Sequence, residues 1–143
     1  FRNYVLRNVL GGSDADVERY VPTRHKIAVT YRNDDVRGLT NLDELIDRLR
    51  EKYGDDDDVE VVVVEWAKLS VADQMELIRT TTVHVTPPGG VSFIAIFLPR
   101  WATSIRLYSM EYRMEWNFFH YLGYISVEHV NCQNAEKIPL RET

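Results

Sequence analysis

The chain holds a single cysteine, Cys132. No disulfide forms within it, and a structural zinc centre built from several cysteines is excluded. Long hydrophobic runs are missing too. The longest apolar stretches, 61–64 and 91–98, fall well short of the roughly 18 to 20 residues that span a bilayer. Glycine and proline, 7 and 5 residues, are few and never gathered into a linker or repeat, so a collagen-like or low-complexity chain is ruled out. Basic charge is short: 17 Lys+Arg face 22 Asp+Glu, a formal net charge of -5. A nucleic-acid module usually carries a basic face, so none is expected. The signatures GxGxxG, GxxxxGK[ST] and GxSxG are all absent, which removes the commonest dinucleotide, P-loop and hydrolase readings. His25, His84, His120 and His129 lie far apart without metal-ligand spacing, and no Asn-x-Ser/Thr acceptor occurs.

What is present is the balance of a soluble globular domain. The 143 residues are 45% hydrophobic and 27% charged, enough to bury one core without disulfides or metals. The first residue is Phe1 rather than Met, and the chain reads as a fragment, a processed product or a part of something longer.

The pattern alternates strand and helix. Residues 26–31 (KIAVTY) are rich in β-branched side chains and read as a strand. Asn41, with Glu44 three residues on, offers a capping box. Leu42, Leu45, Ile46, Leu49 and Tyr53 then recur at helical spacing up to Gly54. The four aspartates at 55–58 splay apart rather than converge on a cation and read as a solvated loop. Residues 59–65 (VEVVVVE) suit a strand buried on both faces. Ser70 caps a second helix with Val71, Met75, Leu77 and Ile78 on its apolar side. Residues 81–86 form a third strand, 92–98 a third helix stopped by Pro99, and 103–108 a fourth strand. An aromatic helix at 112–122 and a last strand at 124–129 follow. The fold class is therefore α/β: a Rossmann-like parallel sheet with helices on both faces. Residues 1–25 form a lead-in with a short helix at 4–10 and a loop at 14–18, 26–130 the Rossmann-like domain, and 131–143 a tail.

In such a sheet, ligands bind beyond the carboxyl ends of the strands. Three places qualify: Arg32 after the first strand, residues 65–70 after the valine strand, and residues 87–93 after the third. At the last of these, Gly89 and Gly90 allow close backbone approach. A following helix N-terminus favours phosphate, and Ser92 adds a hydroxyl. Arg32 either pairs with a phosphate through its planar fork, bonds Asp34 or Asp35, or faces water. His84, inside a strand, reads as a core or sheet-face histidine. Cys132 has no neighbouring histidine and is not expected to be catalytic. The cluster Tyr108, Tyr112, Trp116, Phe118, Phe119, Tyr121 and Tyr124 reads as packing.

The run from Leu39 to Tyr108 resembles the C-terminal part of family 61 glycosyltransferases. That family includes protein O-linked N-acetylglucosaminyltransferases of the secretory pathway and plant xylosyl- and arabinosyltransferases. The resemblance rests on Arg32, Asn41, the 61–64 strand, Ser70 with Gln74, residues 87–94, and Phe97-Leu98-Pro99 in that order. The stretch 118–124 is similar to a further family pattern, and the likeness covers roughly residues 26–130. At the glycine-rich turn, Pro88 stands where the family has histidine, Gly90 replaces alanine, Val91 replaces glycine and Ile94 replaces asparagine. Arg106 stands about where members often carry glutamate.

The resemblance implies the donor-binding half of a B-type enzyme. Such an enzyme would transfer a sugar from a UDP-sugar to a glycan or protein hydroxyl, with inversion and without a metal. It also implies an N-terminal Rossmann-like partner domain carrying the general base, and residence in the Golgi or endoplasmic reticulum lumen. Mapped onto this chain, the nucleotide-sugar site would comprise Arg32, Ser70, Gln74, Pro88, Gly89, Gly90, Val91, Ser92 and Phe93. Ser70 and Gln74 either line the nucleotide cleft or only cap and pack their helix. Two other functions remain open: an inactive glycosyltransferase-like module with a structural role, and an unrelated phosphate- or nucleotide-binding domain.

Overall fold

The computed structural model describes residues 1–13, 21–32, 41–108 and 118–131. In chain order it has α1 (Arg2–Leu10), β1 (His25–Thr30), α2 (Leu42–Tyr53) and β2 (Val59–Val64). A short 3-10 helix (Trp66–Lys68), α3 (Val71–Arg79) and β3 (Val83–Thr86) follow. A longer 3-10 helix (Gly90–Phe97), β4 (Thr103–Tyr108) and β5 (Ser126–Asn131) complete it. The strands form one sheet in the order β2-β1-β3-β4-β5, parallel at every pairing. The α/β, Rossmann-like expectation is met.

Side-chain alternation along each strand divides the core in two. On one face, Val29 and Val85 meet Leu42 and Ile46 of α2. On the other, Ala28 and Val64 meet Leu6 of α1, Met75 and Ile78 of α3, Ala95 and Leu98 of the longer 3-10 helix, and Phe119. Leu6 and Ile78 are fully enclosed, and burying a side chain of that size contributes about 2 kcal/mol. The lead-in helix α1 is thus part of the packed core.

Several expected details differ, each for a local reason. The valine run β2 is the edge strand among the described residues. Its residues are half-buried apart from Val64, because apolar β-branched side chains mark burial without saying which strand is central. The capping box before α2 does not form. Asn41 makes no side-chain cap bond, and Glu44 instead accepts from Arg48 one turn on. The third strand begins at Val83 rather than 81. The Thr80 and Thr81 hydroxyls donate to the Leu77 carbonyl, which finishes α3 instead.

The third helix is 3-10 and starts at Gly90. Ser92 turns both its amide and its hydroxyl onto the Gly89 carbonyl, a three-residue spacing that tightens the turn. The last strand begins at Ser126, not 124. The Tyr124 hydroxyl donates to the Ile96 carbonyl and its own carbonyl accepts from Trp101, so 124 is held in the preceding turn. Of the expected aromatic helix, residues 118–120 are helical. Tyr121 and Leu122 are not helical, so the helix ends before them; residues 112–117, with Tyr112 and Trp116, the 14–18 loop, Asp34, Asp35 and Cys132 lie outside the described residues. The four aspartates at 55–58 are exposed. Among the described residues no helix is long and apolar enough to cross a membrane.

Candidate functional site

The chain leaves β1 for β2 on one side and returns to β3 on the other. At that reversal, two loops diverge from adjacent strands and leave a crevice at their carboxyl ends. The β1–β3 register pairs Val29 with Val85. Tyr31 and Arg32 leave β1, and Pro87 and Pro88 leave β3, at the same end of the sheet. The sheet order therefore puts two of the three places expected from sequence at the carboxyl ends of neighbouring strands.

On the β3 side, Pro87, Pro88 and Gly89 are buried and Gly90 is exposed. Gly89 has φ 124 and ψ -170, backbone that a side chain almost never adopts. Gly90 has open space around its Cβ position. Gly90 and Val91 open the 3-10 helix, before its internal hydrogen bonds begin, so their amides sit where an anion would be favoured. Ser92 departs from expectation. It is fully buried and its hydroxyl donates to the Gly89 carbonyl at 2.7 Å, so it holds the turn rather than projecting from it. Phe93 is half-buried and packs edge-on against Phe118 and at a tilt against Phe119. Arg32 is half-buried.

Ser70 and Gln74 use their polar atoms locally. The Ser70 hydroxyl accepts from the Asp73 amide at 3.2 Å and donates to the Asp73 carboxylate at 2.6 Å. Gln74 donates to the Trp66 and Leu69 carbonyls at 2.9 and 3.1 Å. Both brace the loop between β2 and α3.

Beneath the crevice lies a buried polar layer that the sequence reading did not assemble. Trp66 Nε1 donates to Thr30 Oγ1 at 3.0 Å, and Thr30 Oγ1 lies 3.2 Å from His84 Nε2. Burial, with a smaller contribution from Arg106, lowers the His84 pKa to about 3, so its ring is neutral. Arg106 is fully buried. Its guanidinium lies 3.3 Å over the Phe119 ring and Nη2 donates to the Ser92 carbonyl at 3.4 Å. A cation held against an aromatic face braces the turn from below. The available sequence signal was the polar set Thr30, His84, Ser104 and Arg106 inside otherwise apolar strands, since buried polar groups seek partners.

Among the described residues, no group of three or more His, Cys, Asp or Glu side chains is placed to hold a metal ion. Compared with known protein families, residues 7–105 match Glycosyltransferase 61. The chain belongs to the glycosyltransferase 61 family. The match spans more than half of the chain, from within α1 into β4, and takes in Arg32 and the whole Gly89–Phe93 turn. No curated protein matches the sequence. As a family 61 domain, the chain is tied to glycosyl transfer.

Proposed function

We propose that this family 61 domain binds the nucleotide-sugar donor of an inverting, metal-independent glycosyltransferase. A UDP-sugar would lie across the β1–β3 crevice. The observation that supports this reading is the sheet order: the segments carrying Arg32 and the glycine turn leave neighbouring parallel strands at their carboxyl ends. The UDP leaving group gains negative charge as the glycosidic bond breaks. The Gly90 and Val91 amides and the Arg32 guanidinium would stabilise that charge, and donors fixed before reaction cost no reorganisation when it develops. A glycan or protein hydroxyl, deprotonated by a base on an N-terminal Rossmann-like partner domain, would attack the anomeric carbon from the opposite face. The family resemblance supports action in the Golgi or endoplasmic reticulum lumen.

A second reading is favoured by the turn itself. Pro88 is buried, Ser92 is committed to Gly89, and the turn itself, residues 87–93, offers no other polar side chain to grip a donor. On that reading the domain is a catalytically inactive module in a larger assembly.

Calorimetric titration with UDP, UDP-N-acetylglucosamine and GDP, with EDTA and then with added Mg²⁺, separates the two. Saturable UDP binding in EDTA, lost in Arg32→Ala, is the expected result. A folded chain, alone and joined to its partner domain, that binds no nucleotide favours the inactive module.

A further inference from the structure

His84 sits in the middle of the crevice's supporting strand, fully buried, and touches neither loop directly. Its tautomer follows from counting protons. The Trp66 indole is a donor only, so Thr30 Oγ1 accepts from it. Thr30 has one hydroxyl proton, and His84 Nε2 is its one acceptor among the described hydrogen bonds. If Nε2 carried the ring proton, the Thr30 hydroxyl proton and His84 Nδ1 would both be left open. With the proton on Nδ1, only that N–H stays open. His84 Nδ1 and Ser104 Oγ have no protein partner, and the two residues are paired across β3 and β4. One buried water between them would satisfy both groups.

The chain Trp66–Thr30–His84 joins three strand ends. Thr30 closes β1 two residues before Arg32, Trp66 follows β2, and His84 lies three residues before Pro87. From α3, Gln74 donates to the carbonyl of Trp66 itself and to that of Leu69, three residues on. The Trp66 ring also stands edge-on to the imidazole, 5.8 Å between centroids. We propose that His84 is a positioning residue: held by Thr30 as the neutral Nδ1–H tautomer, it ties β3 to the carboxyl ends of β1 and β2 and so steadies the Gly89–Ser92 turn that leaves β3. The ligand it serves rests on the donor-site reading; the tautomer and the lock do not.

Three measurements on the full chain test this. Long-range ¹H–¹⁵N correlation of the His84 ring should show Nδ1–H with Nε2 as acceptor between about pH 5 and pH 8. An Nε2–H ring or an imidazolium overturns the proposal. Hydrogen exchange at the Ser92 amide, which is bonded to Gly89, should quicken by about tenfold in Thr30→Val, since the change opens two buried polar groups at once. Thr30→Ser, which keeps the hydroxyl, should restore the wild-type rate. Exchange in Thr30→Val equal to wild type overturns the lock.

UDP affinity should weaken by about tenfold in Thr30→Val and return in Thr30→Ser. A wild type that binds UDP beside a Thr30→Val that binds equally well defeats the positioning role while the donor reading stands. A wild type that binds no UDP defeats the donor reading, and the tautomer and exchange results then decide the lock. Where Thr30→Val does not fold, His84→Asn enters the same exchange and titration assays with the same expected losses.

Discussion

The Ser92 hydroxyl donates to the Gly89 carbonyl at 2.7 Å in a fully buried position. The serine that the sequence offers as a phosphate contact is therefore a brace for the turn. Ser92→Ala removes this bond and leaves part of a buried carbonyl's capacity unmet. The expected loss is about 1 to 2 kcal/mol of unfolding free energy, read as a lower urea midpoint with an unchanged slope. A variant as stable as wild type would sink this assignment.

Gly89 and Gly90 should answer differently to substitution. Gly89, at φ 124, tolerates no side chain without strain, so Gly89→Ala should cost about 1 to 3 kcal/mol. Gly90 has no atom within 4 Å of its Cβ position. Gly90→Val should leave the melting temperature close to wild type while obstructing UDP. Normal UDP binding by Gly90→Val would move the nucleotide away from this turn.

The buried His84 gives stability a pH dependence with a definite sign. Its pKa falls from the ordinary 6.5 to about 3 in the folded chain. Below pH 6.5 the unfolded chain takes up a proton that the folded one refuses, so this contribution is complete above pH 6.5 and is lost as pH falls toward 3. The slope is at most about 1.4 kcal/mol per pH unit. Arg106 is the charged group acting on the ring. The difference in unfolding free energy between pH 7 and pH 5 should shrink in His84→Asn. An unchanged difference would mean that His84 titrates normally.

Ser70 should prove to be a helix cap. Ser70→Ala removes the bond from the Asp73 amide and should cost about 1 kcal/mol while UDP affinity stays put. A large loss of affinity in a folded Ser70→Ala would place this residue at the ligand.

Trp101 holds φ 69 with its side chain 86% exposed. A bulky residue in the left-handed region carries a penalty of about 1 to 2 kcal/mol, and this indole recovers little of it by packing. Trp101→Gly should therefore raise stability by about 0.5 to 1 kcal/mol, after the entropy cost of glycine. A lower melting temperature would show that the indole makes a stabilising contact.

The alternation of β-branched runs with amphipathic stretches was enough to read the fold. Residues 26–31 and 103–108 lie close to or on the strands that form, and the Leu42-to-Tyr53 periodicity is α2. The ends of elements were less legible. Asn41 stands at the N-cap position but makes no side-chain cap bond, and Glu44, the other half of the expected box, pairs with Arg48. Thr81 looks like strand, yet its hydroxyl closes a helix. Such competitions are settled by neighbours that periodicity cannot name.

By itself, the sequence determined the α/β class, the Gly-Gly turn after a strand, the family, and the absence of any internal disulfide. These depend on residue type and local spacing. Only the tertiary structure decided that the valine run lies at an edge and that β1, ahead of Arg32, neighbours β3, ahead of the glycine turn. It alone joined Trp66, Thr30 and His84 beneath that crevice. Trp66 and His84 meet Thr30 from 36 and 54 residues away. A hydrogen bond across such a distance exists only once parallel strands have set their order and register, and local spacing encodes neither.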